Sequence, residues 1–400
     1  MDDTERIIYT NSIVEMKIFV ISRNWPSEQH PQWGIVEKDQ AVALSKLGHH
    51  VVSLYLDIRP EPHKIKWGII KEIKEGVVVY CFYAGSRWAE WLKKILPQLQ
   101  YNMVEALFFH LFKRVVKEEG MPDVVYGHYL RYCSRALAIK RKYGIPAVGL
   151  EHWSEMCKPV IRENLKRQAS ETYPFLDKQL VVSDALRENI LRIIGVETTV
   201  VYNTYGKEFF FKDQVKKDDV IRFVLIGNLH PNKGFDLFIQ AIGENASLPD
   251  NIMFTIIGDG TEKEKLQKMI DAYHLSDKVR LVGCKTRYFI VNALQEADVY
   301  ILSSRIETFG VAAIEALACG VPVIATDCGA SRSYMNDFNG LLIPINDVKA
   351  LSEAISYMIE HYKDYDRKLI AEDCKQRFSG EVIAKKIEKI FMDVIAKTNR

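Results

Sequence analysis

Short β-branched runs alternate with longer amphipathic stretches along most of this chain, and the alternation starts afresh near residue 220. Parallel neighbouring strands need a crossover of a dozen or more residues, usually a helix, so a repeated strand-then-helix pattern points to a parallel sheet. In the first half, strands are predicted at Lys17–Ile21, Val51–Leu56, Val77–Phe82, Asp123–Tyr126, Ala147–Leu150 and Gln179–Val182. In the second they are predicted at Arg222–Ile226, Met253–Ile257, Val279–Val282, Val299–Leu302, Val321–Ile324 and Leu341–Ile343. Two sets of about six strands predict an α/β protein with two Rossmann-like sheets, and 400 residues is the right length for two such units.

Between the sets, Tyr202-NTYGKEFFFKDQVKKDD-Val220 follows neither period and sets charges around a Phe cluster, as a connection between domains does. The predicted boundary lies near 203–220. One domain takes residues 1–202 and the other 203–378. The last stretch, Ser379–Lys397, has apolar residues at Val382, Ile383, Ile387, Ile390, Phe391 and Ile395 with no strand after it. This amphipathic helix within 379–400 needs a partner surface, and the first domain is the expected one.

Charge excludes one function class. Fifty-four Lys and Arg against 52 Asp and Glu leave a net charge of +2, too little for a dedicated nucleic-acid binder. Residues 58–142 nevertheless hold 16 Lys and Arg against eight Asp and Glu, so the basic excess belongs to the first half. Seven cysteines without a C-x-x-C favour neither a disulfide framework nor a zinc site. The acidic, polar start and the absence of a long apolar run predict a cytoplasmic protein with no membrane span.

The densest cluster of candidate functional residues is Val299-YILSSRIETFGVAAIEALACGVPVIATDCG-Ala330. A buried strand ends at Ser303 and Ser304, a turn carries Glu307-Thr-Phe-Gly310, and an Ala-rich helix stops at Gly320-Val-Pro322. Ligands of open α/β sheets sit at the carboxyl ends of strands beside helix N-termini, whose free N–H groups attract phosphate. Glu307 and Glu315 both fall there, about 12 Å apart along the axis if the segment is all helical. One can contact a sugar while the other holds a ribose diol.

This stretch closely resembles the E-x7-E signature of retaining glycosyltransferases of family 4, which have the GT-B fold. Further segments follow that family's order. Val224-LIGNLHPNKGFDLFIQA-Ile242 is similar to its G-R-L-x-x-x-K-G segment, Ile256-IGD-Gly260 to its I-x-G-x-G turn and Val181-VSDA-Leu186 to its V-S-x-x-L segment. Trp33-GIVEKDQAVALSKLGHH-Val51 resembles the glycine loop and helix that open its first domain, and Ala147-VGLE-His152 the strand ending in a histidine. The resemblance is strong over 221–345 and loose over 58–130, where the acceptor side is expected.

The resemblance implies two Rossmann-like domains facing a cleft, and transfer of a sugar from a nucleotide diphosphate donor to an acceptor hydroxyl with the anomeric configuration retained. UDP is the favoured carrier and GDP-mannose the next, with a sugar or lipid-linked acceptor in polysaccharide or glycolipid synthesis. Carried over position by position, Glu315 would hold the ribose hydroxyls and Glu307 would contact the donor sugar near the reacting carbon. The backbone of Phe309, Gly310 and Val311 would approach the sugar and diphosphate. Lys233 would neutralise the departing diphosphate, Gly34 would let the first domain's loop approach it, and His152 would face sugar or acceptor across the cleft. No metal or other cofactor is expected. Asn228 stands where the family usually has arginine, so one of two cations near the diphosphate is missing, and Trp33-Gly34 replaces a glycine pair.

Other readings are weaker. Asp364-Tyr-Asp366 lies in a polar helical stretch rather than after a buried strand, so it does not read as a metal-binding Asp-x-Asp. Lys17–Ile21 leads into Ser-Arg-Asn-Trp-Pro rather than G-x-G-x-x-G, against a dehydrogenase. A GT-B epimerase acting on a UDP-sugar and a non-catalytic nucleotide-sugar binding module remain as alternatives. Ser183 is expected to cap the helix starting at Asp184, and His128 sits at another strand end. Finally, 87–117 interleaves Trp88, Trp91, Phe108, Phe109 and Phe112 with Lys93, Lys94, Lys113 and Arg114. These rings either pack inside the first domain or lie on an anionic membrane, which would place the protein at the inner face of the membrane.

Overall fold

The computed structural model describes residues 15–27, 33–59, 67–85, 87–213, 218–246 and 248–398, with the side chains of 87–90 excluded. The first half runs β1 (Lys17–Ile21), α1 (Ile35–Lys46), β2 (His50–Asp57), β3 (Gly68–Lys74), β4 (Val77–Tyr83), α2 (Arg87–Ile95) and α3 (Pro97–Glu119). It continues with β5 (Val124–His128), α4 (Tyr129–Tyr143), β6 (Ala147–Glu151), α5 (Glu163–Ser170), β7 (Lys178–Val181), α6 (Asp184–Ile194) and β8 (Thr199–Val200). These strands form one sheet in the order β3-β4-β2-β1-β5-β6-β7-β8.

The second half runs β9 (Ile221–Ile226), α7 (Phe235–Gly243), β10 (Ile252–Ile257), α8 (Lys263–Ala272), β11 (Val279–Leu281), α9 (Arg287–Glu296) and β12 (Val299–Leu302). After these come α10 (Val311–Ala318), β13 (Val323–Thr326), β14 (Gly340–Ile343), α11 (Val348–His361), α12 (Arg367–Phe378) and α13 (Gly380–Thr398). The second sheet has the order β11-β10-β9-β12-β13-β14 and is parallel throughout.

Every predicted strand is present, and the differences are local. β3 was not predicted; it joins the first sheet antiparallel to β4, with Lys74 opposite Val77 across a Glu75-Gly76 turn. β8 is a second addition, of two residues. The strand expected from Val321 begins at Val323, because Pro322 has no N–H to give the ladder. Ser183 does cap α6, its hydroxyl accepting from the Leu186 N–H at 3.2 Å.

α13 returns to the first half and packs on α1. Ile383, Ile387, Phe391 and Val394, spaced on one helical face, are buried there. The Phe391 ring meets Tyr126 of β5 edge-on at 5.1 Å, and Glu388 reaches His49 at 3.0 Å. One apolar cluster thereby runs from the first sheet through α12 and α13 to one face of the second, while the other face forms its own core with α7, α8 and α11. No described helix is long and apolar enough to cross a membrane.

Each sheet reverses its winding once. β1 lies between β2 and β5, and β9 between β10 and β12, so a crevice opens at the carboxyl end of each central strand. The two crevices face one another.

Candidate active site

A cavity of about 420 Å³ occupies the space between the crevices. Its walls come from the residues just past β1, β5 and β6 on one side and past β9, β11 and β12 on the other.

Lys233 is delivered by the turn after β9. Pro231–Lys233 form a short 3-10 turn before α7. Gly234 then takes φ 64°, and a Cβ on it would lie 2.0 Å from the Ser303 carbonyl oxygen, so only glycine lets this turn press against the end of β12. The Ser303 hydroxyl donates to the Lys233 carbonyl at 3.0 Å and fastens the two loops. From there the Lys233 ammonium pairs with Glu307 Oε1. The Ser304 hydroxyl donates to the same oxygen at 2.9 Å, so the buried Glu307 is oriented from two sides.

Glu315 lies on α10, which starts only at Val311. Glu307 therefore stands in the turn before the helix, as read from the sequence, and the roughly 12 Å that an all-helical segment would give does not apply. Burial pushes the Glu315 carboxyl up to about 8, and Arg287 at 3.6 Å opposes that shift. Gly310 and Val311 line the cavity with both glutamates. Phe309 is not among the lining residues, and its ring is fully buried against Tyr202, Tyr334 and Phe378, which anchors the loop that carries its backbone.

The opposite wall carries His152, with His128 buried behind it. His128 ends β5 and His152 follows β6, with Nδ1 of the first 2.9 Å from Nε2 of the second and the rings stacked at 5.1 Å. Burial pushes His128 down to about 3 and His152 well below the usual imidazole range, so both are neutral near pH 7. Buried Glu151 holds the strand end. It accepts the His152 and Trp153 N–H groups at 2.8 and 2.6 Å and the Tyr173 hydroxyl at 2.5 Å. Tyr129, at φ 65°, tilts its ring over His152, and the Arg23 guanidinium lies 4.5 Å from the same ring.

Of the sequence-derived candidates, Glu307, Glu315, Lys233, Asn228, Gly310, Val311 and His152 line this one cavity. Gly34 is not among its lining residues. At φ 76° it starts α1, and a Cβ there would lie 2.1 Å from the Asn24 carbonyl oxygen. Its freedom serves the packing of α1 on the loop after β1.

Sequence reading missed Arg23, Lys285 and Arg287. All three stand just beyond the carboxyl end of a strand, a position that could have marked them. Arg23 is held by Glu37 at 3.3 Å and Arg287 by three carboxylates. Lys285 has no carboxylate partner among the described residues, which matters because Asn228 brings no charge. No group of three His, Cys, Asp or Glu side chains suited to a metal occurs among the described residues.

In the 87–117 segment the apolar residues divide. Phe108 and Phe112 are core, and Phe109 packs on them partly buried, so these three rings are unavailable to a membrane. The side chain of Trp88 lies outside the described residues. Trp91, Ile95, Leu96, Leu99, Tyr101 and Met103 are exposed beside exposed Lys93 and Lys94.

Comparison with known proteins agrees with this architecture. The family "Glycosyltransferase Family 4" matches residues 38–205 and "Glycosyl transferases group 1" matches 206–373. An uncharacterized glycosyltransferase of Methanocaldococcus jannaschii is 26% identical over 81% of this chain and 91% of its own. The phosphatidylinositol N-acetylglucosaminyltransferase gpi3 subunit of Schizosaccharomyces pombe is 27% identical over 73% of this chain and 65% of its own. Among solved structures, sucrose-phosphate synthase of Thermosynechococcus elongatus superposes with a TM-score of 0.77 at 19% identity, covering 96% of this chain and 100% of that one. Anabaena HepE, solved with UDP and glucose, gives 0.69 at 17% identity over 95% and 100%. With two facing α/β units in the GT-B arrangement and family matches across both, the chain belongs to the family 4 glycosyltransferases.

Proposed function

We propose that this enzyme transfers a sugar from a nucleotide diphosphate sugar, UDP favoured and GDP-mannose next, to an acceptor hydroxyl with the anomeric configuration retained. The acceptor is a growing polysaccharide or a lipid-linked sugar. The observation that carries this reading is the meeting of Lys233, Glu307 and Glu315 with a neutral His152, backed by buried His128, in one cavity at two strand-end crevices. HepE, solved with UDP and with UDP-glucose, supports the choice of UDP.

In this reading Glu315 takes the ribose hydroxyls. Lys233 faces the diphosphate, where negative charge grows as the bond from the anomeric carbon to phosphate oxygen breaks. The acceptor oxygen bonds to that carbon on the same face, and its proton passes to the departing phosphate oxygen. Glu307, paired with Lys233, flanks the reacting carbon. Gly310 and Val311 bring backbone close to the sugar. His152 is too weak a base in its buried setting to take the proton; it hydrogen-bonds a sugar hydroxyl. Asn228 adds a neutral hydrogen bond, and Lys285 supplies a cation to the same space. Charge is neutralised by side chains, with no metal assigned.

A melting screen against UDP, GDP, ADP and their sugars is expected to raise the midpoint most with UDP, since a ligand that binds only the folded state stabilises it by mass action. No shift with any nucleotide would overturn the reading, and a shift with GDP alone would reassign the carrier. NMR of the donor incubated alone separates transfer from epimerisation, because only an epimerase converts the donor without an acceptor. Binding without turnover across an acceptor panel would leave a binding module.

The exposed apolar residues of α2 and early α3, with Lys93 and Lys94, support contact with an anionic membrane surface, at the cytoplasmic face if the acceptor is lipid-linked. Flotation with phosphatidylglycerol vesicles at low salt is expected to carry the protein up, and Trp91→Ser with Lys93→Glu and Lys94→Glu to abolish this. Equal flotation of the triple variant would remove membrane contact from the proposal.

A further inference from the structure

Arg287 opens α9 in the second half, next to Thr286, whose hydroxyl caps the helix. Its guanidinium meets carboxylates from three separate segments. Nη1 and Nη2 donate to the two oxygens of Asp39 on α1 at 3.3 and 2.8 Å. Nε pairs with Glu208 in the connection between the sheets, and Nη2 stands 3.6 Å from Glu315 Oε1. The Phe209 ring lies under the guanidinium at 5.2 Å.

The group is well shielded from water, with side-chain exposures of 18% for Arg287, 10% for Asp39 and 13% for Glu315. A charge held this deeply does not tolerate an empty place beside it, because an unpaired ion in a low-dielectric setting is costly. At present Arg287 spends its short contacts on Asp39 and Glu208. Its separation from Glu315 exceeds a hydrogen bond, and no other described donor reaches that carboxyl, which faces the cavity. Asp39 therefore matters to Glu315 without touching it.

We propose that Arg287 is a positioning residue for the donor site: Asp39, from the first half, holds it off Glu315, and without that contact Arg287 closes onto Glu315 and fills the place of the donor ribose. The inference rests on the reading of Glu315 as the ribose partner. Arginine and carboxylate favour a two-pronged pair, so the capture has a ready geometry once Asp39 is lost. Donor affinity thereby depends on whether α1 of one half is docked on α9 of the other. An unoccupied enzyme whose halves separate masks its own ribose site.

The test uses the full chain and UDP as probe. Asp39→Asn keeps the volume and removes the charge. It is expected to weaken UDP binding by about tenfold, as loss of a charge-assisted contact does, with donor KM rising in step and kcat within about twofold. Removing the captor should reverse the defect: Asp39→Asn combined with Arg287→Gln is expected to bind UDP several-fold tighter than Asp39→Asn alone. Purely structural damage would make the double variant weaker than the single one, and that result, or wild-type affinity in Asp39→Asn, overturns the proposal. Should Asp39→Asn not fold, Glu208→Gln frees the guanidinium from its more exposed partner and is read in the same way. Glu315→Gln keeps the two ideas apart. Unchanged UDP affinity in that variant sinks the ribose reading, whereas a weakened Glu315→Gln beside an unaffected Asp39→Asn sinks only the role of Arg287.

Discussion

Lys233→Met is expected to lower kcat by about 10²–10³-fold while donor KM changes less. An ammonium aimed at developing negative charge stabilises the transition state more than the bound donor, and removal of one such group costs on that order. The substitution has a second consequence that must be separated from the first. Glu307 is buried and pairs with Lys233, so Met leaves its charge without a cation, and stability falls as well. Thermal denaturation measures that loss. Lys233→Met with Glu307→Gln removes the unpaired charge, and its midpoint is expected to recover toward wild type while kcat stays low. A kcat within threefold of wild type in a folded Lys233→Met protein would remove the lysine from the reaction.

Glu315→Gln is expected to weaken nucleotide binding by about 10–100-fold, measured by titration calorimetry, because it loses one or two hydrogen bonds between the ribose hydroxyls and the carboxyl group. The same substitution is expected to stabilise the empty protein. The Glu315 carboxyl titrates near 8 in the fold instead of near its ordinary value of 4.5, because burial opposes its charge. A group whose folded value is raised stabilises the fold fully below its unfolded value, and that contribution is lost as pH rises toward the folded value. The midpoint of Glu315→Gln relative to wild type should therefore climb between about pH 4.5 and 8 and level off above, since Gln does not titrate. A difference that is flat with pH would contradict the burial of an ionisable group at this position. Tighter folding with poorer binding is the usual trade at a binding site.

Much of the fold was legible because its signal is local. Apolar runs such as residues 223–226 and Val299–Leu302 are largely buried on both faces and read as continuous apolar segments. β3 escaped for the opposite reason. It is an edge strand whose Ile70 and Ile73 are exposed, so its apolar residues mark no core. The hairpin turn offered a better signal, with Glu75 and Gly76 both at positive φ, as a tight two-residue turn between antiparallel strands requires. In 87–117 the sequence showed aromatic and basic residues but not their direction. Phe108 and Phe112 turn inward on α3 while Trp91 and Tyr101 face out.

The site divides in the same way. Glu307 and Glu315 follow a strand end in the sequence, so their place at a crevice follows from the strand-then-helix pattern, whereas Lys233 was marked by the family resemblance. Gly34 and Phe309 occupy equally suggestive positions, yet neither lines the cavity: Gly34 packs close on Asn24 and the Phe309 ring is buried in the core. Neither outcome is written in neighbouring residues. The His128–His152 contact joins residues 24 apart, and Arg287 joins Asp39 across 248 residues.

The sequence by itself determined two α/β sheets, the strand ends at which a ligand would sit and the carboxylates carried there, since periodicity and strand-end position are properties of short segments, and a motif resemblance added the lysine. Tertiary structure alone decided which side chains face the shared cavity, that the two histidines are buried and neutral, and that Arg287 binds Asp39 and Glu208 at hydrogen-bonding distance but Glu315 only at arm's length. Burial and ion pairing depend on what the rest of the chain brings alongside, and for Arg287 the two-pronged partner, Asp39, comes from the opposite half of the molecule.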